Sequence, residues 1–431
     1  MKEIVSDADW DLAARRRGTG ADRRALADTV AAILAKVADE GDEALYDLTE
    51  RFDGPDLRGA GLRVTEAEIA QAGGAVSAEW LAALRAARDN IRRYHEKQKR
   101  VSWLEPAADG SILGQMTRPL ASVGIYVPGG TAAYPSSVLM NAVPAAVAGV
   151  ERIVMVSPPQ RDGRLKAEVL AAARECGVEE IYKIGGAQAI AALAFGAPSV
   201  PPVDKITGPG NIYVTLAKKQ VYGIVDIDML AGPSEIVILA DETWDAALLA
   251  ADLLSQAEHD ALAAAVCISP HEALLREVAA ETERQLTGLP REEIARRAWE
   301  DNGALILVDS LARGMDLANA IAPEHLELAV AEPFAWLGRV RNAGAVFLGP
   351  CTPEAVGDYF AGPDHILPTG GTARFHSVLD VDAFLKKISV VHYSPEALRA
   401  SQRQIALLAR SEGLEAHARA VERREESRDG E

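Results

Sequence analysis

Short apolar runs that end in glycine or proline alternate with helical runs from about residue 113 onward. The first series includes "SVGIYVPGG", "ERIVMVSPP" and "EEIYKIGG", and the second includes "AAAVCISPH", "GALILVDS" and "AGAVFLG". Segments between them, such as "GRLKAEVLAAARECG", have helical periodicity. Alternation of strand and helix predicts an α/β fold, with mostly parallel sheets and helices on both faces.

Two segments of these series echo each other. "RIVMVSPPQRDGRLKAEVLAAARE" and "AAVCISPHEALLREVAAETERQ" both run from an apolar strand through Ser-Pro into a helix. An old duplication that gave two similar α/β lobes explains this echo. Chance similarity between two βα units explains it nearly as well, because that pattern is common.

Charge and composition narrow the classes of partner. The 431 residues have a formal net charge of −18, which argues against nucleic acid or an anionic membrane. The three cysteines are scattered and form no CxxC, which favours a reducing cytosol. The start, "MKEIVSDADWD", lacks the apolar core of a signal peptide, and "VLMNAVPAAVAGV" is too short to span a bilayer. We therefore expect a soluble cytoplasmic protein.

Three glycine-rich turns follow predicted strands: "YVPGG" with Tyr126, "IGGAQ" with Gln188 and "TGPGN" with Asn211. Ligands of α/β sheets bind beyond the carboxyl ends of strands, where backbone N–H groups can cradle phosphates or a nicotinamide. No GxGxxG fingerprint follows a strand, and turns of this kind that bind nothing are equally common.

Gln256 and His259 lie three residues apart at the end of the apolar run "WDAALLAADLLSQAEHD". On a helix they would share one face. A lone histidine at a helix end is more often a surface residue or a charge near the last carbonyls. The pair becomes a ligand candidate only when other residues join it.

Glu324 and His325 are adjacent in "APEHLEL", just before a predicted strand. A carboxyl group and an imidazole side by side can serve as two proton-transfer groups in one cleft. The alternative is a helix-to-strand corner with an exposed Glu and a half-buried His, and the dipeptide alone favours that alternative.

Two further clusters contain polar residues. Asp358 and His365 lie in "CTPEAVGDYFAGPDHILPTGGTARFHS", a Gly- and Pro-rich loop of a kind that is more often functional than filler. In "RSEGLEAHARA", Ser411 can cap a helix, which would leave Glu412 near its start and His417 one turn in. Together with the Gln256/His259 pair, these clusters supply two imidazoles and a carboxylate, which suit zinc, and an amide, which is a rare zinc ligand; their spacing does not prove a site.

The order of these motifs resembles the histidinol dehydrogenase family over nearly the whole chain. The shared blocks are "GIYVPGG", "IGGAQAIAALAFG", "TGPGN", "DMLAGPSE", "SQAEHD", "APEHLEL", "TPEAVGDY", "HILPTGGTARFHS" and "EGLEAHA". The resemblance implies one Zn²⁺ per subunit, bound by Gln256, His259, Asp358 and His417. His417 and Glu412 would come from the partner of a homodimer.

The resemblance also implies the remaining roles. Glu324 and His325 would transfer protons, and Tyr126, Gln188 and Asn211 would contact NAD. The substrate would contact Ser234, Gln256, His259, His325, Asp358, His365, Glu412 and His417. The family reaction oxidises L-histidinol to L-histidine with two NAD⁺ and one water, through a bound aldehyde.

Three alternatives differ from that reaction. A relative could keep zinc and NAD but oxidise another small alcohol, although Ser234, His365 and Glu412 favour an imidazole substrate. A zinc hydrolase with Glu324 as base would leave the glycine-rich blocks unexplained, and a non-catalytic metal protein would not need the Glu324–His325 pair.

The sequence departs from the family pattern at Pro363, Asp364 and Val378. In the family, small or amide residues are more usual before His365, and Gly is common at 378.

With the resemblance, we expect two similar incomplete Rossmann-like lobes, a helical N-terminal segment and a C-terminal arm. The predicted boundaries are 1–22 for the N-terminal segment, 23–125 with 236–378 for the larger α/β domain, 126–235 for the nucleotide-contacting domain, and 379–431 for the arm. The arm has too few apolar residues for its own core, which favours packing on a partner subunit.

Overall fold

The computed structural model describes residues 2–10, 20–129 and 134–426. They form two units, the first made of residues 1–98 and 120–384 and the second of residues 99–119 and 385–431. Within the described ranges, no helix is both long enough and apolar enough to cross a membrane.

The strands are β1 (Ile4–Ser6), β2 (Trp103–Pro106), β3 (Ile112–Pro119), β4 (Ser122–Tyr126), β5 (Arg152–Val156), β6 (Glu180–Tyr182), β7 (Lys205–Thr207), β8 (Asp226–Ile227), β9 (Glu235–Ala240), β10 (Ala264–Ser269), β11 (Ala304–Leu307), β12 (His325–Ala329), β13 (Ala345–Leu348) and β14 (Leu385–His392). The α-helices are α1 (Gly20–Glu40), α2 (Asp42–Phe52), α3 (Glu66–Ala75), α4 (Ala78–Glu96), α5 (Pro135–Ala148), α6 (Ala167–Glu175), α7 (Gly186–Phe195), α8 (Ile212–Val221), α9 (Ala246–Ala257), α10 (Glu272–Leu286), α11 (Glu292–Asn302), α12 (Leu311–Ile321), α13 (Pro333–Leu337), α14 (Glu354–Tyr359), α15 (Pro395–Ser411) and α16 (Glu415–Glu426). Short 3₁₀ helices cover Thr372–Arg374 and Val381–Phe384.

The first unit contains two parallel sheets. One has five strands in the order β6-β5-β4-β7-β8, and the other has six in the order β1-β11-β10-β9-β12-β13. Without β1, both sheets place their strands in the chain order 3-2-1-4-5. The echoing sequences form β5–α6 and β10–α10, which are the second strand and following helix of each sheet. The predicted α/β class with parallel-rich sheets is confirmed.

The central strand β9 shows why the six-stranded sheet is covered on both faces. Its residues alternate between two cores, with Ile236 and Ile238 in one and Val237 and Leu239 in the other. The first core includes Leu249 and Leu253 from α9 and side chains from α10 and α11, and the second includes side chains from α12. A strand that is apolar on both faces belongs in a sheet covered by helices on both sides.

The N-terminal helices pack on the five-stranded sheet, which differs from the predicted grouping of 23–125 with 236–378. Val30 and Ile33 of α1 and Leu45 of α2 share one core with Ile190 of α7 and Val214 of α8. Strand β4 also belongs to this sheet, so the predicted boundary at 125/126 falls inside a strand. Helical periodicity identifies an apolar face but does not say which sheet that face covers.

The start of the chain also differs from the predicted helical segment over 1–22. Ile4–Ser6 forms a strand that extends the six-stranded sheet by pairing in parallel with Leu305–Leu307 of β11. Residues 11–19 of that predicted segment lie outside the described residues. A three-residue strand has too short a pattern to be recognised by alternation.

The second unit is a three-stranded antiparallel sheet, in the order β14-β3-β2, with helices α15 and α16. The register pairs Leu385 with Pro119 and His392 with Ile112. The predicted arm over 379–431 therefore omits strands β2 and β3, because antiparallel partners far apart in sequence leave no local signal.

Candidate active site

The acid–imidazole pair lies at the amino edge of the six-stranded sheet, at the start of a strand rather than beyond the carboxyl end of one. His325 is the first residue of β12, and it pairs with Ile236 of β9 and Ala345 of β13. The first N–H groups of a strand are available there, and the backbone N–H of Glu235 donates to Oε2 of Glu324 at 2.9 Å. Backbone at this edge therefore fixes the carboxyl group directly.

The imidazole of His325 is held in one tautomer. Its Nδ1 lies 3.2 Å from the backbone oxygen of Glu235, and because a carbonyl oxygen only accepts, Nδ1 is the donor. The ring is buried and packs near Phe347 at a centroid distance of 5.8 Å. Its Nε2 has no hydrogen-bond partner within the described part of the chain, so this atom is left to exchange a proton with a ligand.

Three carboxyl groups surround His325. Nδ1 lies 3.7 Å from Oε2 of Glu324, and Nε2 lies 3.9 Å from Oε1 of Glu354 and 3.7 Å from Oδ1 of Asp358. Burial alone lowers the pKa of His325, but the negative charges of Glu354, Glu324 and Asp358 outweigh it and raise that pKa to about 10. The cluster therefore favours positive charge at its centre.

For Glu324, unlike His325, burial outweighs the neighbouring charges in shifting the pKa. Burial raises the pKa of its carboxyl group to about 7, although the neighbouring His325 and the Glu235 N–H both act to lower it. A carboxyl group with a pKa near neutrality can either take or release a proton at physiological pH, which is the property required of a general acid or base.

His259, Glu354 and Asp358 form a candidate metal site. Their ligand atoms lie within 4.8 Å of one another. Burial lowers the pKa of His259, which keeps the imidazole neutral, and the neighbouring histidines hold the pKa of Asp358 below its usual value despite burial. A neutral imidazole and an ionised carboxylate are the forms that bind Zn²⁺, at bond lengths of about 2.0–2.2 Å, so the donor set fits that ion.

The other residues of this unit that were predicted to bind zinc or the substrate are Gln256, His365 and Ser234. Gln256 is fully buried in the last turn of α9, and His259 follows just beyond the end of that helix. The Nδ1 of His365 donates to the backbone oxygen of Asp358 at 3.0 Å, which leaves its Nε2 available. Ser234 immediately precedes Glu235, whose backbone holds both Glu324 and His325.

Glu412 and His417 belong to the second unit, and both are exposed. Glu412 caps the carboxyl end of α15, and His417 lies in the first turn of α16. The prediction that Ser411 caps the start of a helix is wrong: Ser411 is the last residue of α15, and its hydroxyl donates to the oxygen of Leu408. Gly413, at φ +75, separates the two helices, and the sequence "RSEG" fits a C-terminal cap equally well.

A large cleft lies at the carboxyl edge of the five-stranded sheet. Its volume is about 1320 Å³, and the three predicted cofactor residues, Tyr126, Gln188 and Asn211, all line it. Tyr126 ends β4, whereas Asn211 caps the start of α8 through its side-chain oxygen. Gly129 also lines the cleft, and Gly130 lies outside the described residues. This position agrees with the rule that ligands bind beyond the carboxyl ends of parallel strands.

Sequence reasoning missed Glu354 and Glu235. Glu354 lies four residues before Asp358, so the two side chains share one face of α14, and this spacing was a usable signal. Glu235 acts mainly through its backbone, and its carboxylate also accepts N–H groups from Gly370 and Gly371. Backbone contacts of this kind leave no pattern in a sequence.

Comparison with known proteins gives consistent matches. A sequence profile described as histidinol dehydrogenase matches residues 16–425. The histidinol dehydrogenase of Moorella thermoacetica is 62% identical over 404 residues, which cover 94% of this chain and 95% of that protein. That of Geobacillus kaustophilus is 59% identical over 405 residues, with 94% of each chain covered. The crystal structure of histidinol dehydrogenase from Elizabethkingia anophelis matches with a TM-score of 0.89 at 38% identity, covering 93% of this chain and 92% of that one.

Proposed function

Since the chain belongs to the histidinol dehydrogenase family, we propose that it oxidises L-histidinol to L-histidine with two NAD⁺, one water and a bound Zn²⁺, through a bound L-histidinaldehyde. Membership of this family favours a dehydrogenase of histidine biosynthesis over a zinc hydrolase or a non-catalytic metal protein. The observation that carries the proposal is the buried Glu324–His325 pair beside the cluster of His259 and Asp358.

His325 takes the hydroxyl proton as hydride leaves the carbinol carbon for NAD⁺. Its Nδ1–H is fixed on the Glu235 carbonyl, so the proton is accepted at Nε2. Transfer requires a neutral ring, whereas the surrounding carboxylates favour the imidazolium. A cation held by His259 and Asp358 would offset part of that negative charge and so would favour the neutral ring.

Glu324 activates the water that hydrates the aldehyde. A carboxylate near neutral pKa removes a proton from water while the oxygen bonds to the carbonyl carbon. The resulting hydrate then loses a second hydride to NAD⁺ and a proton to His325, which gives the carboxylic acid. The backbone N–H of Glu235 keeps the Glu324 carboxyl group oriented through both steps.

Zn²⁺, when bound, serves as a template that holds the reacting carbon still through both oxidations. We assign it to Gln256, His259 and Asp358 of one chain and His417 of the partner subunit. His365, Ser234 and the partner's Glu412 would bind the substrate. Tyr126, Gln188 and Asn211 would contact NAD in the cleft of about 1320 Å³.

The second unit supports a homodimer with shared sites. Its strands and helix α15 expose large apolar side chains, among them Leu104, Val391, Leu407 and Leu408, each at least 59% exposed. Exposed apolar surface of this kind marks a protein–protein contact. A partner that covers this surface would bring the exposed Glu412 and His417 to the other chain's site, in an enzyme that we place in the cytoplasm.

The test is to follow NADH formation by purified, zinc-loaded protein supplied with L-histidinol. We expect two NADH for each histidinol consumed, with histidine as the product. One NADH per histidinol with accumulation of the aldehyde, or turnover of other small alcohols but not histidinol, would contradict the proposal.

A further inference from the structure

Asp53 is an acid in the large cleft that the proposed chemistry does not use. It follows the last residue of α2, and its backbone N–H caps that helix by donating to the oxygen of Thr49 at 2.8 Å. Its carboxyl group lines the cleft together with Tyr126 and Gln188, and its Oδ2 is buried without a hydrogen-bond partner among the described residues. A buried acceptor left unpaired destabilises a fold, so a ligand is the natural partner to seek.

The hydroxyl of Tyr126 offers the complementary group. It accepts the backbone N–H of Gly186 at 3.1 Å, so its own proton remains available to donate. Tyr126 is 3% exposed, and burial raises the pKa of its phenol to about 12, with a smaller contribution from the charge of Asp53. An acceptor and a donor on one wall match a vicinal diol, in which each hydroxyl both donates and accepts.

Among the described residues that line the cleft, Asp53 is the one acid. In dinucleotide-binding sheets the acid that receives the ribose hydroxyls usually follows the second strand. Here the second strand of the sheet, β5, is followed by Ser157, Pro158, Pro159 and Gln160, none of which is acidic. The charged residues that line the cleft besides Asp53 are all basic, namely Lys36, Arg51, Arg161 and Lys166. Such cations can bind a negatively charged pyrophosphate, whereas the Asp53 carboxylate can accept hydrogen bonds from neutral hydroxyl groups.

We propose that Asp53 binds a ribose diol of the dinucleotide and selects against a dinucleotide that carries a 2′-phosphate. The helix α2, which precedes the strands of the five-stranded sheet in the chain, thus supplies the acid that is missing after the second strand. A 2′-phosphate would bring two negative groups together in a partly buried position, which is strongly unfavourable. The inference rests on the proposed function, because it assumes that this cleft binds NAD.

The experiment measures NADH and NADPH binding to the zinc-loaded protein by fluorescence titration, for wild type, Asp53→Asn and Asp53→Ala. A hydrogen bond to a charged group changes affinity by about 10- to 100-fold. We therefore expect both variants to lose at least tenfold in NADH affinity, with NADPH affinity unchanged or improved. Because Oδ2 of Asp53 has no hydrogen-bond partner among the described residues, the melting temperature of Asp53→Asn should not fall. Asp56→Asn, an exposed change three residues away, should leave both affinities unchanged.

The outcomes separate this inference from the function on which it rests. Wild type that binds NADH, together with an Asp53→Asn variant whose preference for NADH over NADPH is unchanged, would overturn the role of Asp53 alone. An equal loss of both dinucleotides would also overturn it, because it would indicate a structural role. Wild type that binds neither dinucleotide would overturn the NAD assignment and this inference together.

Discussion

The Nε2 atom of His95 lies 3.8 Å from Oδ2 of Asp364, and neither atom has a hydrogen-bond partner within the described ranges. Nδ1 of His95 is 2.7 Å from Oε1 of Gln98, an oxygen that also accepts the N–H of Val381. Nδ1 therefore carries a proton and Nε2 is an acceptor. Burial raises the pKa of Asp364 well above its usual value and lowers that of His95, so the pair favours the state with the proton on Asp364.

We predict that Asp364→Asn stabilises the protein. The amide keeps an oxygen for the Ile366 N–H, which Asp364 accepts at 2.8 Å, and adds a donor for His95 Nε2. The wild-type acid has a raised pKa in the folded state, so its stability falls as pH rises from about 4, the ordinary value for Asp, through the folded pKa. The variant should therefore gain most at alkaline pH, by about 1–3 kcal/mol.

Denaturant unfolding at pH 5 and pH 8.5 measures this gain. Asp39→Asn, on the exposed surface of α1, is the matched control and should change little at either pH. A loss of stability in Asp364→Asn at pH 8.5 would show that the ionised carboxylate is the stabilising form.

The sheets were predictable from the sequence, because strand and helix periods depend on neighbouring residues. "SEIVILAD" is apolar on both faces, which is typical of a strand between two helical layers. The packing of α1 and α2 on the five-stranded sheet was not predictable, since an apolar helix face fits either lobe. The same holds for Ile4–Ser6, whose partner lies 301 positions away at Leu305 to Leu307.

The site was predictable only in part. The adjacency of Glu324 and His325 placed them together just before a predicted strand, but the sequence did not show that β9 and β13 are the neighbours of that strand. His259 and Asp358 are separated by about a hundred positions, and only the resemblance joined them. Glu354 could have been found by its i, i+4 spacing with Asp358, whereas the backbone of Glu235 could not.

We predict that a chelator abolishes turnover while the fold survives. Gln256 and His259 lie at the end of α9 and Asp358 lies in α14, in an α/β unit with its own apolar cores, so the ion is not needed for folding as it is in a small zinc domain. Circular dichroism should change little after chelation, and elemental analysis of the loaded protein should give about one zinc per chain. Global unfolding on chelation would contradict the template role.

Zinc affinity should distinguish the ligands from their neighbours. Loss of a ligand removes a direct bond, so His259→Ala and Asp358→Asn should weaken binding at least a hundredfold. Glu354 lies in the same cluster but also faces Nε2 of His325, at 3.9 Å. Mutation of a residue that supports the metal ligands typically lowers metal affinity about 10- to 100-fold. We expect the loss of zinc affinity in Glu354→Gln to lie at the lower end of this range. Competition with a fluorescent chelator measures each value, and equal losses for Glu354→Gln and Asp358→Asn would make Glu354 a ligand.

We predict that His417 acts in the site of the partner subunit. His417→Ala and Gln256→Ala homodimers should each be inactive, and mixing them should restore one complete site in each mixed dimer. Activity should recover to roughly a quarter of wild type after random exchange of subunits, since half of the dimers are mixed and each has one of two sites. Mixed dimers that form, as shown by mass spectrometry, and yet remain inactive would contradict a shared site.

The last prediction separates the roles of Glu324 and His325. Glu324→Gln keeps the acceptor for the Glu235 N–H but removes the basicity needed to activate water, so it should impair oxidation of histidinal more than that of histidinol. His325→Asn should impair both, because each hydride loss requires a proton to leave a hydroxyl for Nε2. A general-base defect lowers rate by about 10²- to 10⁴-fold, which is measurable against background. NADH formation from histidinol and from histidinal, supplied separately to each variant, gives the comparison. Equal losses on both substrates for Glu324→Gln, or an unimpaired His325→Asn, would contradict this assignment.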